Sequence, residues 1–575
     1  MSNPSVSIAL TGSGGAGVMT AGQMLLTAAA RAGCYGLMSR SLGPQIRGGE
    51  SAALLRLSTA PVDGPDDIFD LLLAFDWGNI DRFAAELPLN ENSVVIYDPG
   101  QGPVPEVVRE PGPRLVQVPL KEIAKGIPGG RENMVGLGLI TTLIGLDAAS
   151  LRQVIEERLG RKGAEAVDTS WQAVEAGAEA ATVDGLPRLD QASPAAPGSR
   201  WQISGNDAVG LGALRGGVRF VAAYPITPAT EILEWMAVNL PKVGGALVQC
   251  EDELASVCMA LGGSYAGVPS MTATAGPGLA LMTEAIGLGV ASETPVVIAN
   301  VMRGGPSTGI PTKSEQSDLN IACYGLHGDA PHIVTAPTSI ADCVFTAQWT
   351  VYLAEALQCP AILLSDQAMG QAQAVIEKPA EVAFIGRRKV ARPADLENYQ
   401  RYRITADGIS PVALPGMPGG QHTADGLEHA PSGTPSTQAA HHQEQLDKRR
   451  RKLDRFDYGD HWAIRAGDPE AELALITFGS LTGAARDAVT RCAEAGLPVR
   501  LIAPRLLLPV QVERLEAALA GATKLLIVEQ NHEAQLRHLL AGHIRLPAVV
   551  DSLNRAGPLT IRPGEIVSAL TTLAA

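Results

Sequence analysis

The chain is short of the residues that would hold disulfides or metal clusters. It has 575 residues and only 7 cysteines, and no two of them stand in a C-x-x-C pair. An odd number of scattered cysteines does not predict a disulfide framework, and it offers no ligand set for an iron–sulfur cluster. We expect buried, reduced thiols at these positions, which are Cys34, Cys250, Cys258, Cys323, Cys343, Cys359 and Cys492.

Positive charge and long apolar runs are also scarce. Lysine and arginine number 45 against 60 acidic residues, which gives a net charge of -15 and argues against a nucleic-acid partner. The longest nearly apolar run, residues 134–146, is too short to cross a bilayer. The first residues lack the basic and then apolar pattern of a signal peptide. We therefore expect a cytoplasmic protein with no membrane or nucleic-acid partner.

Short apolar strands alternate with helices along most of the chain, and this pattern predicts an α/β fold with several parallel-sheet domains. Residues 1–185 form a first block, and residues 186–200, rich in proline and small residues, form a linker. A second block covers residues 201–375, a connecting region covers residues 376–465, and a last block covers residues 466–575. Within the connecting region, residues 408–445 are expected to be irregular or partly disordered.

A run of five basic residues, 448–452, stands at the end of this connecting region. On a helix such a run is typical of a solvated face. The alternative is a docking site for an acidic electron-carrier protein.

The first glycine motif, Gly12-Ser-Gly-Gly-Ala-Gly17, fits the pattern G-x-G-x-x-G through Gly12, Gly14 and Gly17 and lies between a strand and a helix. That pattern suggests a dinucleotide site, but the following strand ends in Ser39 and Arg40 and not in an acid that would hold a ribose. A helix N-terminus still favours a phosphate or pyrophosphate, and coenzyme A fits that description. A purely structural use of the glycines stays open.

A second loop with prolines and glycines covers residues 43–50 and carries Arg47. Arg47 could reach a phosphate or carboxylate, or it could simply pair with Glu50.

Four further loops follow successive strands in the second block, where ligands of open α/β sheets bind. The first presents Thr227 between two prolines, although a threonine there could simply cap a helix. The second contains Glu253 after Glu251 and Asp252, two acids that suit the first turn of a helix. The other two are a glycine turn at residues 272–278 and a loop at residues 303–312, whose arginine can clamp a carboxylate through two hydrogen bonds. Four such loops in one block predict an active site.

These motifs together resemble the α subunit of 2-oxoacid:ferredoxin oxidoreductases. The resemblance rests on Tyr-Pro-Ile-Thr-Pro (224–228), Glu-Asp-Glu-x-Ala-Ser (251–256), Thr-Ala-Thr-Ala-Gly-Pro-Gly (272–278) and Arg-Gly-Gly-Pro-Ser-Thr-Gly-x-Pro-Thr (303–312). Residues 1–185 resemble the family's γ domain, residues 201–375 its pyrimidine-binding thiamine-diphosphate domain, and residues 466–575 its transketolase C-terminal-like domain. A γ domain fused ahead of the α domain is similar to the 2-oxoglutarate branch and to archaeal enzymes with a broader 2-oxoacid range.

The resemblance implies roles for individual residues. Glu253 would hydrogen-bond N1′ of the thiamine aminopyrimidine, which favours the tautomer that deprotonates the thiazolium carbon. Thr227 and Arg303 would be catalytic with Glu253 and would hold the 2-oxoacid, and Thr312 would line the substrate pocket. The pyrimidine side would be completed by Tyr224, Pro225, Ile226 and Gly276, and coenzyme A would be bound by Gly12, Gly14, Gly15 and Arg47.

The family holds Mg²⁺ and the cofactor's diphosphate with a Gly-Asp-Gly run, and this sequence has none. The resemblance therefore implies a β subunit that carries the diphosphate site with its Mg²⁺ and a [4Fe-4S] cluster. The assembly would be an (αβ)2 heterotetramer that passes electrons to ferredoxin, with no metal bound by this chain. The reaction would be the coenzyme A-dependent oxidative decarboxylation of a 2-oxoacid, with 2-oxoglutarate giving succinyl-CoA and CO2.

Three alternatives stay open at this point. The substrate could be pyruvate or a broad range of 2-oxoacids, because nothing in the sequence identifies the far end of the pocket. A Rossmann-type NAD or FAD oxidoreductase would use residues 12–17. A non-catalytic coenzyme A-binding subunit would keep the fold without the chemistry.

Overall fold

The computed structural model of the protein describes residues 2–42, 50–190, 192 and 198–575. Arg47 and most of the loop at residues 43–50 lie outside the described residues. The chain divides into two compact units. The first contains residues 1–204, 371–379 and 562–564, and the second contains residues 205–370, 380–561 and 565–575.

The strands are numbered in chain order. The first eleven are β1 (Ser2–Asn3), β2 (Ser5–Ser13), β3 (Tyr35–Leu42), β4 (Glu50–Ser58), β5 (Leu71–Ala74), β6 (Val94–Tyr97), β7 (Arg114–Gln117), β8 (Arg188–Leu189), β9 (Arg200–Ser204), β10 (Phe220–Ala223) and β11 (Ala246–Gln249). The next eleven are β12 (Ser270–Thr274), β13 (Val297–Met302), β14 (Ile333–Thr335), β15 (Ala361–Asp366), β16 (Gln373–Glu377), β17 (Ala463–Gly467), β18 (Leu473–Thr477), β19 (Arg500–Pro504), β20 (Leu506–Leu508), β21 (Lys524–Glu529) and β22 (Val549–Asn554).

The helices are numbered in the same way. Those of the first half are α1 (Val18–Arg31), α2 (Glu106–Arg109), α3 (Leu120–Lys125), α4 (Glu132–Leu143), α5 (Ala148–Leu159), α6 (Ala164–Glu179), α7 (Gly205–Gly216), α8 (Thr230–Asn239), α9 (Glu253–Tyr265) and α10 (Gly276–Ala291). The others are α11 (Leu319–Tyr324), α12 (Ile340–Leu357), α13 (Gln367–Gln371), α14 (Pro393–Leu396), α15 (Ala439–Asp454), α16 (Leu481–Glu494), α17 (Val512–Leu519), α18 (Gln535–Ala541) and α19 (Pro563–Ala574).

The first unit is built on a sheet with the strand order β7-β6-β5-β2-β4-β3-β16-β9. The strands from β7 to β2 run parallel, whereas every pair from β2 to β9 is antiparallel. The predicted α/β class is confirmed, but this sheet is mixed and not purely parallel, because the seven residues that separate β3 from β4 in the sequence are fewer than the dozen or so that a parallel crossover needs. Helices α4 and α6 pack closely, since a Cβ at Gly138 or Gly177 would lie 1.9 Å from a carbonyl oxygen of the other helix.

The second unit contains two sheets. The larger has the order β11-β10-β12-β13-β15-β14-β20, and its strands are parallel except for β20, which pairs with β14 antiparallel. The smaller has the order β17-β19-β18-β21-β22. Strands β12, β13 and β15 are buried along their whole length, as expected for parallel strands covered by helices on both faces.

The segment at residues 408–445 is irregular, as predicted, until α15 begins at Ala439. Of the two expected alternatives, an irregular segment and a partly disordered one, the structure has the first, and the segment is packed against the rest of its unit. The ring of His429 is buried and stacks on Tyr402 with centroids 4.3 Å apart. Further along, Gln445 donates a hydrogen bond to the Tyr402 carbonyl oxygen.

The basic run at residues 448–452 is not a wholly solvated face, because Lys448, Arg449 and Lys452 are buried while Arg450 is exposed. Lys448 is 0% exposed, and its Nζ lies 2.6 Å from Glu293 Oε1. Lys452 reaches Glu293 Oε2 at 3.2 Å, and the buried Arg449 pairs with Glu428. The two lysines are held inside by one buried acid. Burial alone would raise the pKa of Glu293, but Lys448, Lys452 and Arg401 lower it, so this carboxylate requires positive partners inside the protein.

All seven cysteines are free, and six of them are buried as expected, whereas Cys258 on α9 is exposed. Among the described residues, no helix is both long and apolar enough to cross a membrane.

Candidate active site

The four predicted loops of the second block meet at one edge of the larger sheet. Strands β11, β10, β12 and β13 are neighbours in that order and run parallel, so their carboxyl ends lie side by side. The connection from β10 leads to β11 on one side, and the connection from β12 leads to β13 on the other. The loops after β10 and β12 therefore border the kind of crevice in which open α/β sheets bind ligands.

Arg303, which follows β13, joins two of these loops directly. Its Nη1 donates a hydrogen bond to the main-chain carbonyl oxygen of Thr227 at 2.6 Å. The side chain is only 6% exposed, and its Nε has no partner among the described residues. Burial lowers the pKa of Arg303, and the nearby Asp318 opposes this effect. The site thus holds a buried guanidinium with a free donor, which suits a carboxylate.

Glu253 is the first residue of α9 and is buried. The helix starts later than the sequence analysis expected, so Glu251 and Asp252 are not in its first turn. Asp252 is instead its N-cap and accepts a hydrogen bond from the backbone N–H of Ala255 at 2.7 Å. The Glu253 carboxyl group packs against α10, because a Cβ at Gly278 would lie 2.9 Å from its Oε1. Gly278 therefore leaves room for the acid, while Glu251 stays exposed.

Two polar residues of the site were missed by the sequence analysis. Asn300 in β13 is fully buried and donates a hydrogen bond to Asp318 Oδ2 at 2.9 Å. A Cβ at Gly276 would lie 2.6 Å from Asp318 Oδ1, so this carboxyl group lies against the start of α10. Burial raises the pKa of Asp318 to about 6; the adjacent Glu315 adds to the effect, whereas Asn300 and Arg303 oppose it.

The remaining predicted residues border the same edge. Tyr224 is 38% exposed, and Pro225, Ile226 and Thr312 are half-buried. Thr312 ends the loop that begins at Arg303. The structure therefore links Thr227, Arg303, Gly276 and Glu253 through direct contacts and their neighbours, while the side chains of Tyr224 and Thr227 are both exposed.

The N-terminal glycine motif belongs to the first unit. Gly12 is inside β2, and Gly15 and Gly17 have φ angles of 109° and 81°, which favour glycine. A Cβ at Gly17 would lie 2.4 Å from Asn133 Nδ2, so this glycine is required by packing. Gly14 and Gly15 are exposed, and among the described residues nothing lies within 4 Å of a Cβ placed at Gly15.

The loop does not form a Rossmann dinucleotide site. The neighbours of β2 are β4 and β5, so β3, which should bring an acid beside the ribose, is not adjacent to β2. In addition, Asp76 accepts hydrogen bonds from the backbone N–H of Ser13 at 2.9 Å and from its hydroxyl group. One backbone N–H of the loop is thus already bonded to a carboxylate and is not available to a phosphate. The topology counts against the NAD or FAD alternative more strongly than the missing acid does.

The chain matches two family models. Residues 7–180 match the model described as "Pyruvate ferredoxin/flavodoxin oxidoreductase". Residues 211–448 match "Pyruvate flavodoxin/ferredoxin oxidoreductase, thiamine diP-bdg", which includes all four loops of the candidate site.

Characterised proteins resemble the chain over most of its length. The 2-oxoacid:ferredoxin oxidoreductase 2 subunit alpha of Aeropyrum pernix is 30% identical, and the alignment covers 94% of this chain and 93% of that protein. The 2-oxoglutarate oxidoreductase subunit KorA of Mycobacterium tuberculosis is 36% identical over 64% of this chain and 57% of its own length. A solved structure of 2-oxoglutarate:ferredoxin oxidoreductase from Magnetococcus marinus, with 2-oxoglutarate, coenzyme A and succinyl-CoA bound, is 36% identical, covers 100% of both chains and has a TM-score of 0.93.

Proposed function

The chain belongs to the thiamine-diphosphate-dependent 2-oxoacid:ferredoxin oxidoreductases, as an alpha subunit, and on that premise we propose that its substrate is 2-oxoglutarate. The reaction is 2-oxoglutarate plus coenzyme A to succinyl-CoA, CO2, one proton and two electrons, which pass to ferredoxin. The observation that carries the proposal is the full-length similarity to the Magnetococcus marinus enzyme, whose structure contains 2-oxoglutarate, coenzyme A and succinyl-CoA.

We propose that Glu253 and its neighbours bind the aminopyrimidine of thiamine diphosphate, and three buried polar groups support this. Glu253 is a buried acid set against a glycine that leaves space beside it. Asn300 Oδ1 and Arg303 Nε are buried polar atoms without partners among the described residues. Such atoms are normally satisfied in native proteins, so they favour a polar ligand at this edge. Tyr224, Pro225, Ile226 and Gly276 would complete the pyrimidine side.

Thiamine diphosphate supplies, when bound, a nucleophilic carbon and a sink for the electrons released by decarboxylation. Glu253 would hold a proton at N1′ of the aminopyrimidine. Arg303 would bind the substrate's 1-carboxylate through the donor that does not reach Thr227, and the Thr227 hydroxyl group would orient the keto oxygen. Thr312 would close the pocket on the far side. The low exposure of Arg303 and Glu253 excludes water, which strengthens each of these charge interactions.

The chain cannot complete this chemistry alone, since it lacks the Gly-Asp-Gly run and a cysteine set for a cluster. We propose a β subunit that contributes the diphosphate and Mg²⁺ site and a [4Fe-4S] cluster, in an (αβ)2 assembly in the cytoplasm. Residues 1–185, 201–375 and 466–575 would be the γ, pyrimidine and transketolase C-terminal-like domains. Gly12, Gly14, Gly15 and Arg47 remain candidates for contact with coenzyme A.

A broader substrate range is the second candidate, because the Aeropyrum pernix relative is named for 2-oxoacids in general. The test is a substrate panel on this chain co-expressed with its β subunit, with coenzyme A and a viologen or ferredoxin as acceptor. We expect kcat/KM for 2-oxoglutarate to exceed that for pyruvate by at least about tenfold, because only 2-oxoglutarate has a second carboxylate to bind. Equal kcat/KM values for 2-oxoglutarate and pyruvate would favour the broader range. If the enzyme turned over none of the 2-oxoacids in the panel, the proposal would be contradicted.

A further inference from the structure

The segment at residues 314–318, which joins the Arg303 loop to α11, lies against the strand-end loops of the smaller sheet. Gln316 is at its centre and is 0% exposed. Its backbone N–H donates to the Gln530 carbonyl oxygen at 2.7 Å, and its side chain donates to the Phe478 carbonyl oxygen at 2.9 Å. Its Oε1 accepts from the Gln530 N–H at 2.9 Å, and its carbonyl oxygen accepts from Asn531 at 3.3 Å. Every polar group of Gln316 is thus used to bind the C-terminal block.

The same contact extends to both sides of Gln316. The Ser314 carbonyl oxygen accepts a hydrogen bond from Gln530 Nε2 at 3.2 Å, and the Ser317 carbonyl oxygen accepts one from Gln535 Nε2 at 2.9 Å. Backbone approach is close here, because a Cβ at Gly557 would lie 2.2 Å from the Ser314 carbonyl oxygen. The C-terminal block therefore fixes the backbone of this segment at several successive residues.

The other end of the segment touches the candidate active site. Asp318 accepts the hydrogen bond from Asn300 in β13 and lies against Gly276 at the start of α10. Just before the segment, the Lys313 carbonyl oxygen accepts a hydrogen bond from the backbone N–H of Gly304 at 3.1 Å, next to Arg303. The position of the segment consequently determines where Asp318 lies and how the Arg303 loop closes.

We propose that Gln316 is a positioning residue for Arg303, so that the C-terminal block sets the affinity for the 2-oxoacid. The proposal rests on the substrate-binding role proposed for Arg303. Its physical basis is that a displacement of about 1 Å at a binding group lowers catalytic efficiency strongly, while buried hydrogen-bonding groups hold a backbone in one place because leaving them unpaired is costly.

Gln316 could instead serve only to hold the two sheets together, and the chain offers a matched control for that role. Arg505 also connects the C-terminal block to α12, a helix of the larger sheet's domain. Its Nη2 lies 2.7 Å from Oδ1 of Asp342 on α12, and the residue is 5% exposed. Arg505→Lys keeps the charge but loses the paired geometry. Gln316→Met keeps the length of the side chain but removes both of its side-chain hydrogen bonds.

The test compares both variants in the enzyme assembled with its β subunit. For Gln316→Met we expect KM for the 2-oxoacid to rise by about tenfold while kcat falls less than about threefold and KM for coenzyme A is unchanged. Arg505→Lys should leave all three parameters within about twofold of the wild type. Equal effects of the two variants, or a fall in kcat alone, would overturn the positioning role.

Hydrogen exchange on the isolated full-length chain gives a readout that does not depend on activity. In Gln316→Met, the amides of Gly304, Ile310 and Lys313 should exchange at least about tenfold faster, because their hydrogen bonds close the Arg303 loop. In Arg505→Lys they should exchange as in the wild type, and unchanged exchange in Gln316→Met would contradict the inference. If exchange changes as expected but the wild-type enzyme turns over no 2-oxoacid, the proposed function is wrong. The dependence of the Arg303 loop on Gln316 is then still supported.

Discussion

Replacing Asp318 with asparagine is expected to make the chain more stable at neutral pH, although it removes a charge from the candidate site. Burial raises the pKa of this carboxyl group from 3.8 to about 6. Between these two values the folded chain keeps a proton that the unfolded chain has released, so the free energy of unfolding falls as the pH rises through this window. Above about pH 6 the buried carboxyl group is ionised, and the whole free-energy cost of that buried charge lowers the stability of the folded chain.

The size of the penalty follows from the pKa difference. At 1.36 kcal/mol for each pKa unit, the change from 3.8 to about 6 corresponds to about 3 kcal/mol. The amide oxygen of an asparagine can still accept the hydrogen bond from Asn300. An uncharged side chain at position 318 also removes the charge repulsion between Asp318 and Glu315, whose own pKa is raised by burial. We expect Asp318→Asn to be more stable than the wild type by about 2 to 3 kcal/mol near pH 7.5 and by much less near pH 4.5.

Urea unfolding of the isolated chain, followed by tryptophan fluorescence, to which Trp235 in α8 and Trp349 in α12 contribute from the second unit, measures this difference. Other buried acids titrate in both proteins, so the quantity to compare is the difference between variant and wild type at the two pH values. The exposed Glu251→Gln serves as a control and should show no pH-dependent difference. The reasoning would be refuted if Asp318→Asn were less stable than the wild type near pH 7.5, or if the difference in free energy of unfolding were the same at both pH values.

Three further predictions concern charge and assembly. Arg303→Ala should lower kcat/KM for the 2-oxoacid by an amount that corresponds to about 2 to 4 kcal/mol of lost transition-state stabilisation, measured in steady-state kinetics of the assembled enzyme. A loss below about 1 kcal/mol would exclude a direct contact. Glu293→Gln should destabilise the chain by about 3 to 5 kcal/mol in urea unfolding, because it leaves Lys448 and Lys452 buried without a counter-charge. The exposed Asp454→Asn should change stability by less than about 1 kcal/mol, and equal effects would contradict the account of the buried cluster. The chain purified alone should be colourless and inactive, so a visible iron–sulfur absorption band would contradict the assignment of the cluster to the partner.

Much of the candidate site could be predicted from the sequence because its loops are local. Thr227, Glu253 and Arg303 each follow an apolar strand within a few residues, and parallel neighbouring strands end at the same edge. Asn300 gave a weaker signal, as a polar residue inside the apolar strand β13. Asp318 gave almost none, since its role depends on the path of the chain after Thr312, which returns to the start of α10.

Long-range pairing explains what the sequence could not show. The run at residues 448–452 has the composition of a solvated helix face, and only the position of Glu293, more than a hundred residues earlier, places two of its lysines in the interior. In the same way, nothing in residues 200–204 or 373–377 indicates that they add two antiparallel strands to the sheet of the first unit. Such contacts depend on tertiary packing and not on local propensity.

The most direct test of the central claim is the activity of Glu253→Gln in the enzyme assembled with its β subunit. Glu251→Gln, two residues away and exposed, is the matched control. The account predicts that Glu253→Gln assembles normally but loses 2-oxoglutarate- and coenzyme A-dependent reduction of the acceptor by at least about a hundredfold, while Glu251→Gln turns over like the wild type. Near-normal turnover in Glu253→Gln would contradict the assignment of thiamine-diphosphate chemistry to this chain.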